Sequence, residues 1–261
     1  MIALCVLVAV LGLAVGSFLN VVAYRVPRNE SLVRPGSHCT ACAAPIRHRH
    51  NVPVAGWLVL RGRCADCRTP ISVRYPLVEL GTAVLFVAIT ARFGVTWALP
   101  AYLYLAAIAV PLALIDLDVQ RLPNRIVLPS YVVGAVLLLG AAIGTGDPDA
   151  AVRALLAMTV LYGGYWLIAS AYPGGMGFGD VKLAGLLGLY LGWLGWSSVW
   201  IGTFTGFLFG GTVGVVLLVT RRATRKTPIP FGPSMLAGGL VAVFAAAPVA
   251  DWYFSVLYPA G

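Results

Sequence analysis

The chain has 261 residues, of which 60% are hydrophobic and 10% charged, with a formal net charge of +9. So little charge, against roughly 25% in soluble domains, together with a mean hydropathy of +0.90, excludes an ordinary water-soluble globule. The excess of apolar surface has to meet a lipid bilayer. No aromatic stacking platform accompanies the basic residues, so nucleic acid is not the expected partner.

Runs near the length that crosses a bilayer are expected at about 1–23, 77–93, 97–115, 126–146, 152–171, 182–196, 198–220 and 234–258. The first has no basic residue ahead of it and no small-x-small cleavage pattern at 20–25, so it reads as a retained helix. The sixth is short and its exit at 195–198 is weakly marked, which leaves seven spans as the alternative count. The expected class is an all-α polytopic membrane protein with about eight transmembrane helices and a small cytoplasmic, zinc-ribbon-like insert after the first. The domains are then 1–23, a first helix; 24–76, the insert; and 77–261, the polytopic membrane domain.

The insert holds Pro27, Pro35, Pro45, Pro53, Pro70 and Pro76, all three histidines and four of the five cysteines. At about 50 residues a core needs a staple, and turns with short strands are expected. Cys39-x2-Cys42 and Cys64-x2-Cys67 are 21 residues apart, one beyond the usual zinc-ribbon spacing. Each CxxC turn aims two thiolates at one ion, and two turns complete a tetrahedron around Zn²⁺. The competing readings are two disulfides, or mixed ligation by His38, His48 or His50. A cytoplasmic position argues against disulfides. A closed four-sulfur site is structural and stands in for the missing core. Cys5, in an apolar run, reads as a plain buried thiol.

Charge sets the orientation. Nine of the eighteen Lys+Arg fall in 24–76: Arg25, Arg28, Arg34, Arg47, Arg49, Arg61, Arg63, Arg68 and Arg74. Arg121, Arg125, Lys182, Arg221, Arg222, Arg225 and Lys226 join them on one side, which leaves Arg92 and Arg153 on the other. The positive-inside rule places the larger group in the cytoplasm and both termini outside. Attraction to anionic headgroups adds to this.

Gly12-x3-Gly16, Gly188-x3-Gly192 and Gly206-x3-Gly210-x3-Gly214 read as ridges for close helix packing. Asp116 ends the apolar run 111–115 and opens IDLDVQRLPN. Asp180 lies in GMGFGDVKL, just ahead of the sixth run. Ionisable groups at membrane helix ends are costly and usually functional. As plain structure, Asp116 and Asp118 are interfacial charges and Asp180 caps a helix. As chemistry, Gly175, Gly177 and Gly179 give a backbone able to take positive φ and to present Asp180 to an extended peptide. Two adjacent carboxylates share one proton. The ionised one activates water, while the protonated one polarises the scissile carbonyl and serves the leaving amine. Lys182 is placed to tune the pair, which titrates as a unit. Two other classes compete: an ion- or proton-coupled transporter using Asp116 and Asp180 as a relay, and a zinc-dependent assembly factor in which both merely cap helices.

These residues resemble those of the bacterial type IV prepilin leader peptidases, aspartic peptidases of the GxGD class, over nearly the whole chain. GSFLNVVAYRVP at 16–27 is similar to the family's first-helix motif. The two CxxC pairs, NVPVAGWLVLRGRC at 51–64 and ISVRYPLVEL at 71–80 are similar to its insert, with Gly56 where many members have Ser. IDLDVQRLPN at 115–124 and GMGFGDVKL at 175–183 resemble its two catalytic motifs, and PFGPSML at 230–236 the beginning of its last helix. In the family the first catalytic aspartate lies six residues before the LP[ND] tripeptide. Asp116 fits, with Leu122 six beyond, and Asp118 does not. The resemblance implies catalytic Asp116 and Asp180, and metal ligands Cys39, Cys42, Cys64 and Cys67. It implies removal of a basic leader from membrane-inserted prepilins or pseudopilins, after a glycine, at the cytoplasmic face of the bacterial inner membrane. It also implies methylation of the new N-terminal amine with S-adenosylmethionine as donor. No glycine fingerprint of soluble methyltransferases is present, and Glu79 is the candidate to hold the amine, against a reading as an interfacial carboxylate near Arg74 or Arg25. Asn20 and Arg25 are read as fixing the insert to the bundle.

Overall fold

A computed structural model describes residues 2–172, 175–222, 224 and 227–257. Met1, Arg225, Lys226 and Tyr258, which entered the span and charge readings above, lie outside the described residues. Among those described, the structure is helical: α1 (Ile2–Arg25), α2 (Ala55–Val59), α3 (Arg74–Phe93), α4 (Leu99–Val119), α5 (Asn124–Thr145), α6 (Pro148–Ala171), α7 (Phe178–Leu194), α8 (Trp196–Val219) and α9 (Gly232–Leu257). Seven of these are long and apolar enough to cross a membrane. α7 is the eighth long helix. Its 17 residues span roughly 25 Å at 1.5 Å each, a little short of the ~30 Å hydrocarbon layer.

The chain divides into two compact units, Met1–Pro111 and Leu112–Gly261. In the first, α1 and α3 pack antiparallel through glycine. A Cβ on Gly12 would lie 2.6 Å from Ala83 Cα, and one on Gly16 2.8 Å from Glu79 Cα. Backbones that close favour helix association in lipid, where the hydrophobic effect does not drive it. Asn20 Nδ2 donates to the Tyr75 carbonyl (3.2 Å), and Arg25 donates to the carbonyls of Ser31 (3.0 Å) and Gly36 (3.3 Å). Arg25 therefore ties the insert to α1, whereas Asn20 joins α1 to the first turn of α3.

In the second unit α7 is the hub. Every residue from 183 to 192 is buried, so this helix faces protein all round. Gly188 and Gly192 lie against Ala157 and Ala154 of α6, in antiparallel register. Arg153 donates to the carbonyls of Gly192 and Trp193, both at 2.8 Å. That satisfies carbonyls which the end of a helix leaves without partners. α8 meets α9 where Gly206 and Gly238 pack backbone to backbone. The third glycine ridge fades along its length: Gly214 has only the Ile229 side chain near it, at 3.7 Å.

Three local expectations differ from the structure. The insert has no strands, only isolated bridges His38↔Pro45 and Arg63↔Pro70. Each bridge ends in a proline, which has no N–H with which to extend a ladder. Gly175, Gly177 and Gly179 do not use positive φ, since the glycines that do are Gly62, Gly94, Gly146 and Gly195. Gly177 is extended at φ −74. Cys5 is half-buried rather than buried.

Candidate active site and metal centre

The two CxxC turns are built alike. The N–H of Cys39 donates to Ala44 O (2.9 Å) and that of Ala43 to Cys39 O (2.9 Å); the N–H of Cys64 donates to Thr69 O (2.9 Å) and that of Arg68 to Cys64 O (3.2 Å). Ala43 (φ 58) and Arg68 (φ 61), each just after a second cysteine, sit in the left-handed region. The sequence therefore forms the same knuckle twice. All four sulfurs lie within 4.8 Å of one another, and this metal-competent group contains no histidine. His38 Nδ1 instead pairs with the Gly36 carbonyl at 2.9 Å. The cysteines are free. Cys39 and Cys67 Sγ are 3.8 Å apart, far beyond a disulfide bond. A tetrahedron with ~2.3 Å zinc–sulfur bonds has edges of about 3.8 Å, so the spacing fits that ion.

The electrostatics of the cluster agree. Hydrogen bonding with the Thr69 hydroxyl, and then with its N–H, pulls the Cys67 thiol down to about 6. The backbone N–H groups of Cys42 and Ala41 lower that of Cys39. Against the lowering influence of the Ala44 N–H, the neighbouring thiols drive Cys42 up to about 12. Four thiols this close cannot all ionise without a cation among them.

Asp116 is buried near the C-terminal end of α4. Its Oδ2 accepts from the N–H of Gly232, the first residue of α9, at 3.0 Å. A helix N-terminus offers both unpaired donors and the positive end of the helix dipole. A Cβ on Gly232 would sit 2.7 Å from that oxygen, so any side chain there would have to displace the carboxylate. Asp118, two residues on, is exposed.

Asp180 lies in the first turn of α7, not in a loop ahead of it, because the helix begins at Phe178. Its Oδ2 accepts from the Gly177 N–H at 3.3 Å. The capping role is therefore real, and it coexists with a place beside the first motif. Two contacts join the motifs, and Tyr131 of α5 braces the second. Leu122 packs on Gly179, whose Cβ would lie 3.0 Å from Leu122 Cβ, and also on Gly232, whose Cβ would lie 3.4 Å from Leu122 Cδ2. Lys182 Nζ donates to Asn124 Oδ1 at 2.8 Å. Tyr131 donates its hydroxyl to the Lys182 carbonyl at 2.5 Å. Leu122 thus touches both the residue that precedes Asp180 and the glycine that holds Asp116. Lys182 is thus engaged with Asn124 of the LPN tripeptide, and with the Phe178 ring 4.8 Å away.

Sequence reasoning named Asp116, Asp180 and Lys182, and the structure brings them together. Leu122 enters the sequence reading only as the mark that places Asp116 in its motif, and Gly232, Asn124 and Tyr131 are not singled out there. PFGPSML carried a signal for Gly232, since a glycine at the start of a helix marks a close approach. Glu79 belongs to the other unit. It is buried, and its Oε2 accepts from the Val54 N–H at 2.6 Å. The ion pair seen in the insert is Arg47–Asp66, at 3.2 Å.

Fold and site together define a multi-pass helical membrane protein with an aspartate pair at two helix ends and a four-thiol knuckle pair. The comparisons with known proteins give the family. The model of the bacterial peptidase A24 N-terminal domain matches residues 10–93, and that of the type IV leader peptidase family matches residues 102–219. The chain is 36% identical to the prepilin leader peptidase/N-methyltransferase of Aeromonas hydrophila, over 95% of this chain and 93% of that relative. It is 38% identical to the protein of the same name from Pseudomonas putida (91% and 89%), and 36% identical to that from Neisseria gonorrhoeae (90% and 88%). The chain belongs to the type IV leader peptidase family. No solved structure gives a significant match.

Proposed function

We propose that this chain is an inner-membrane aspartic endopeptidase that removes the leader of type IV prepilins or pseudopilins and then methylates the new N-terminal amine. The family supports the first activity, and the names of the relatives support both. The observation that carries the site assignment is the meeting of D-x5-LPN and GxGD around Leu122, with each aspartate at a helix end. A relay for transport would need carboxylates deep within helices, and neither motif places them there.

In this reading Asp116 and Asp180 act as one unit. The ionised carboxylate takes a proton from water as the oxygen adds to the scissile carbonyl. The protonated carboxyl donates a hydrogen bond to the carbonyl oxygen. The C–N bond then breaks, and the departing amine takes a proton from the pair. The Gly232 N–H holds Asp116 in place, and the Lys182–Asn124 hydrogen bond holds the two motifs in register. Cys39, Cys42, Cys64 and Cys67 would hold a Zn²⁺, which would serve as a structural ion joining the two knuckles. When bound, S-adenosylmethionine supplies an electrophilic methyl group for the amine. The charge distribution supports a cytoplasmic active face with both termini outside. In this reading the chain divides into 1–23, 24–76 and 77–261, with the insert as the sizeable soluble piece among the described residues.

Mass spectrometry of a co-expressed prepilin tests both activities in one spectrum. Loss of the leader, and a methyl group on the new terminus, are expected with this chain and not with its Asp116→Asn or Asp180→Asn variants. Leader removal by either variant overturns the assignment.

A further inference from the structure

The N-terminal unit contains a cavity of ≈370 Å³ between the insert and the helices that carry it. Ser17 of α1 and Glu79 of α3 lie on its helix side. His50, Asn51, Trp57 and Tyr75 form much of the rest, and Cys39 and Cys64 of the two knuckles reach its wall. The volume falls within the range of small-molecule sites, which are apolar with a few placed polar groups.

Three features mark this cavity as a built site. Glu79 is 8% exposed, and a carboxylate that deep is expensive unless something compensates it. The compensation seen is the N–H of Val54, which itself sits at φ 60, ψ −53. Positive φ is a genuine outlier for a β-branched residue, and strain of that kind persists where the surroundings over-determine it, commonly at ligand sites. Trp57 is fixed as well. Its indole N–H donates to the Ile71 carbonyl at 3.1 Å, and its ring lies against Gly62, which takes φ +66. The cavity therefore offers a buried carboxyl group, an immobilised indole, a tyrosine and amide and hydroxyl groups, all in the unit that lacks the aspartate pair.

We infer that this cavity binds S-adenosylmethionine. The inference rests on the proposed N-methylation. The chemistry matches part by part: Glu79 suits a cationic centre, the aromatic rings suit an adenine face and a sulfonium, and Asn51 and Ser17 suit polar groups at the edge. Cys39 and Cys64 shape the wall, so an ion held by the knuckles would steady this site.

The test uses the purified full-length chain, metal-loaded, in detergent. Binding of S-adenosylhomocysteine is measured by calorimetry and by tryptophan fluorescence, beside methylation of a cleaved prepilin. Glu79→Gln and Trp57→Leu remove binding groups. Asn51→Trp fills the cavity from an exposed position without disturbing a buried one. Melting temperature and metal content check folding for each. The expected result is saturable binding by the wild-type chain, weakened at least ten-fold in Asn51→Trp and in whichever of the other two folds, with methylation falling in parallel. If the wild-type chain binds and methylates, and folded Asn51→Trp does both equally well, the cavity assignment is wrong while N-methylation stands. If the wild-type chain cleaves prepilin but neither binds nor methylates, N-methylation itself fails and the cavity assignment with it.

Discussion

α7 and the insert obtain their order by opposite means. Between 183 and 192 every residue of α7 is buried against protein, and its glycines let α6 approach to backbone contact. Between 27 and 73 the buried residues are Gly56, Gly62 and Cys64, so the insert has almost no apolar interior. One region is specified by many small packing contacts and the other by two identical turns sharing four thiols. Damage to the first should be local and graded. Damage to the second should be all-or-none, as in small metal-folded domains.

The largest expected effect falls in the packed region. Asp116→Asn and Asp180→Asn should each lower leader removal by about a thousand-fold or more, with melting temperature and metal content unchanged. Processing at near wild-type rates would sever the aspartates from the chemistry. Gly232→Ala comes next. Its methyl group would push on Asp116 Oδ2, and a displacement of that order costs about a hundred-fold in rate. A fully active Gly232→Ala enzyme would show that the Gly232 N–H does not hold Asp116.

The contrast between the regions is tested most directly by chelation or by Cys39→Ser. Hydrogen exchange should show loss of protection from Cys39 through Ile71 together, while α7 keeps its own. Methylation should fall further than leader removal. Uniform loosening of both regions would mean that the metal supports the whole molecule. Acidification should release the ion in the same cooperative manner, because protons compete for the thiolates. The smallest effect is expected for Lys182→Met. Losing one hydrogen bond between the motifs costs roughly 1 kcal/mol, about five-fold in cleavage. The Lys182→Met and Asn124→Ala double variant should be little worse than either single one. Additive losses would show that the two side chains act separately.

Much of this was legible in the sequence because it depended on short-range spacing. CxxC repeats, apolar run lengths and the six-residue interval between Asp116 and Leu122 need no knowledge of distant contacts. The seat of Asp116 could not be read that way, because Gly232 lies 116 residues further along. The start of α7 was misplaced for a related reason. Glycine disfavours helix interiors, so GMGFG looked like a loop. Packing of Gly179 on Leu122 outweighs that preference and draws the helix back to Phe178. The strands expected in the insert failed on proline chemistry: Pro45 and Pro70 each stop a ladder after a single bridge.

The paired knuckles carry a physiological consequence. With so little buried between 27 and 73, an insert folded around an ion would have no folded alternative without it, whereas Asp116 and Asp180 belong to the other unit. A bacterium starved of zinc should therefore keep exporting trimmed pilins with bare amino termini. Nutrient supply would then set the chemical finish of the fibre without halting its production.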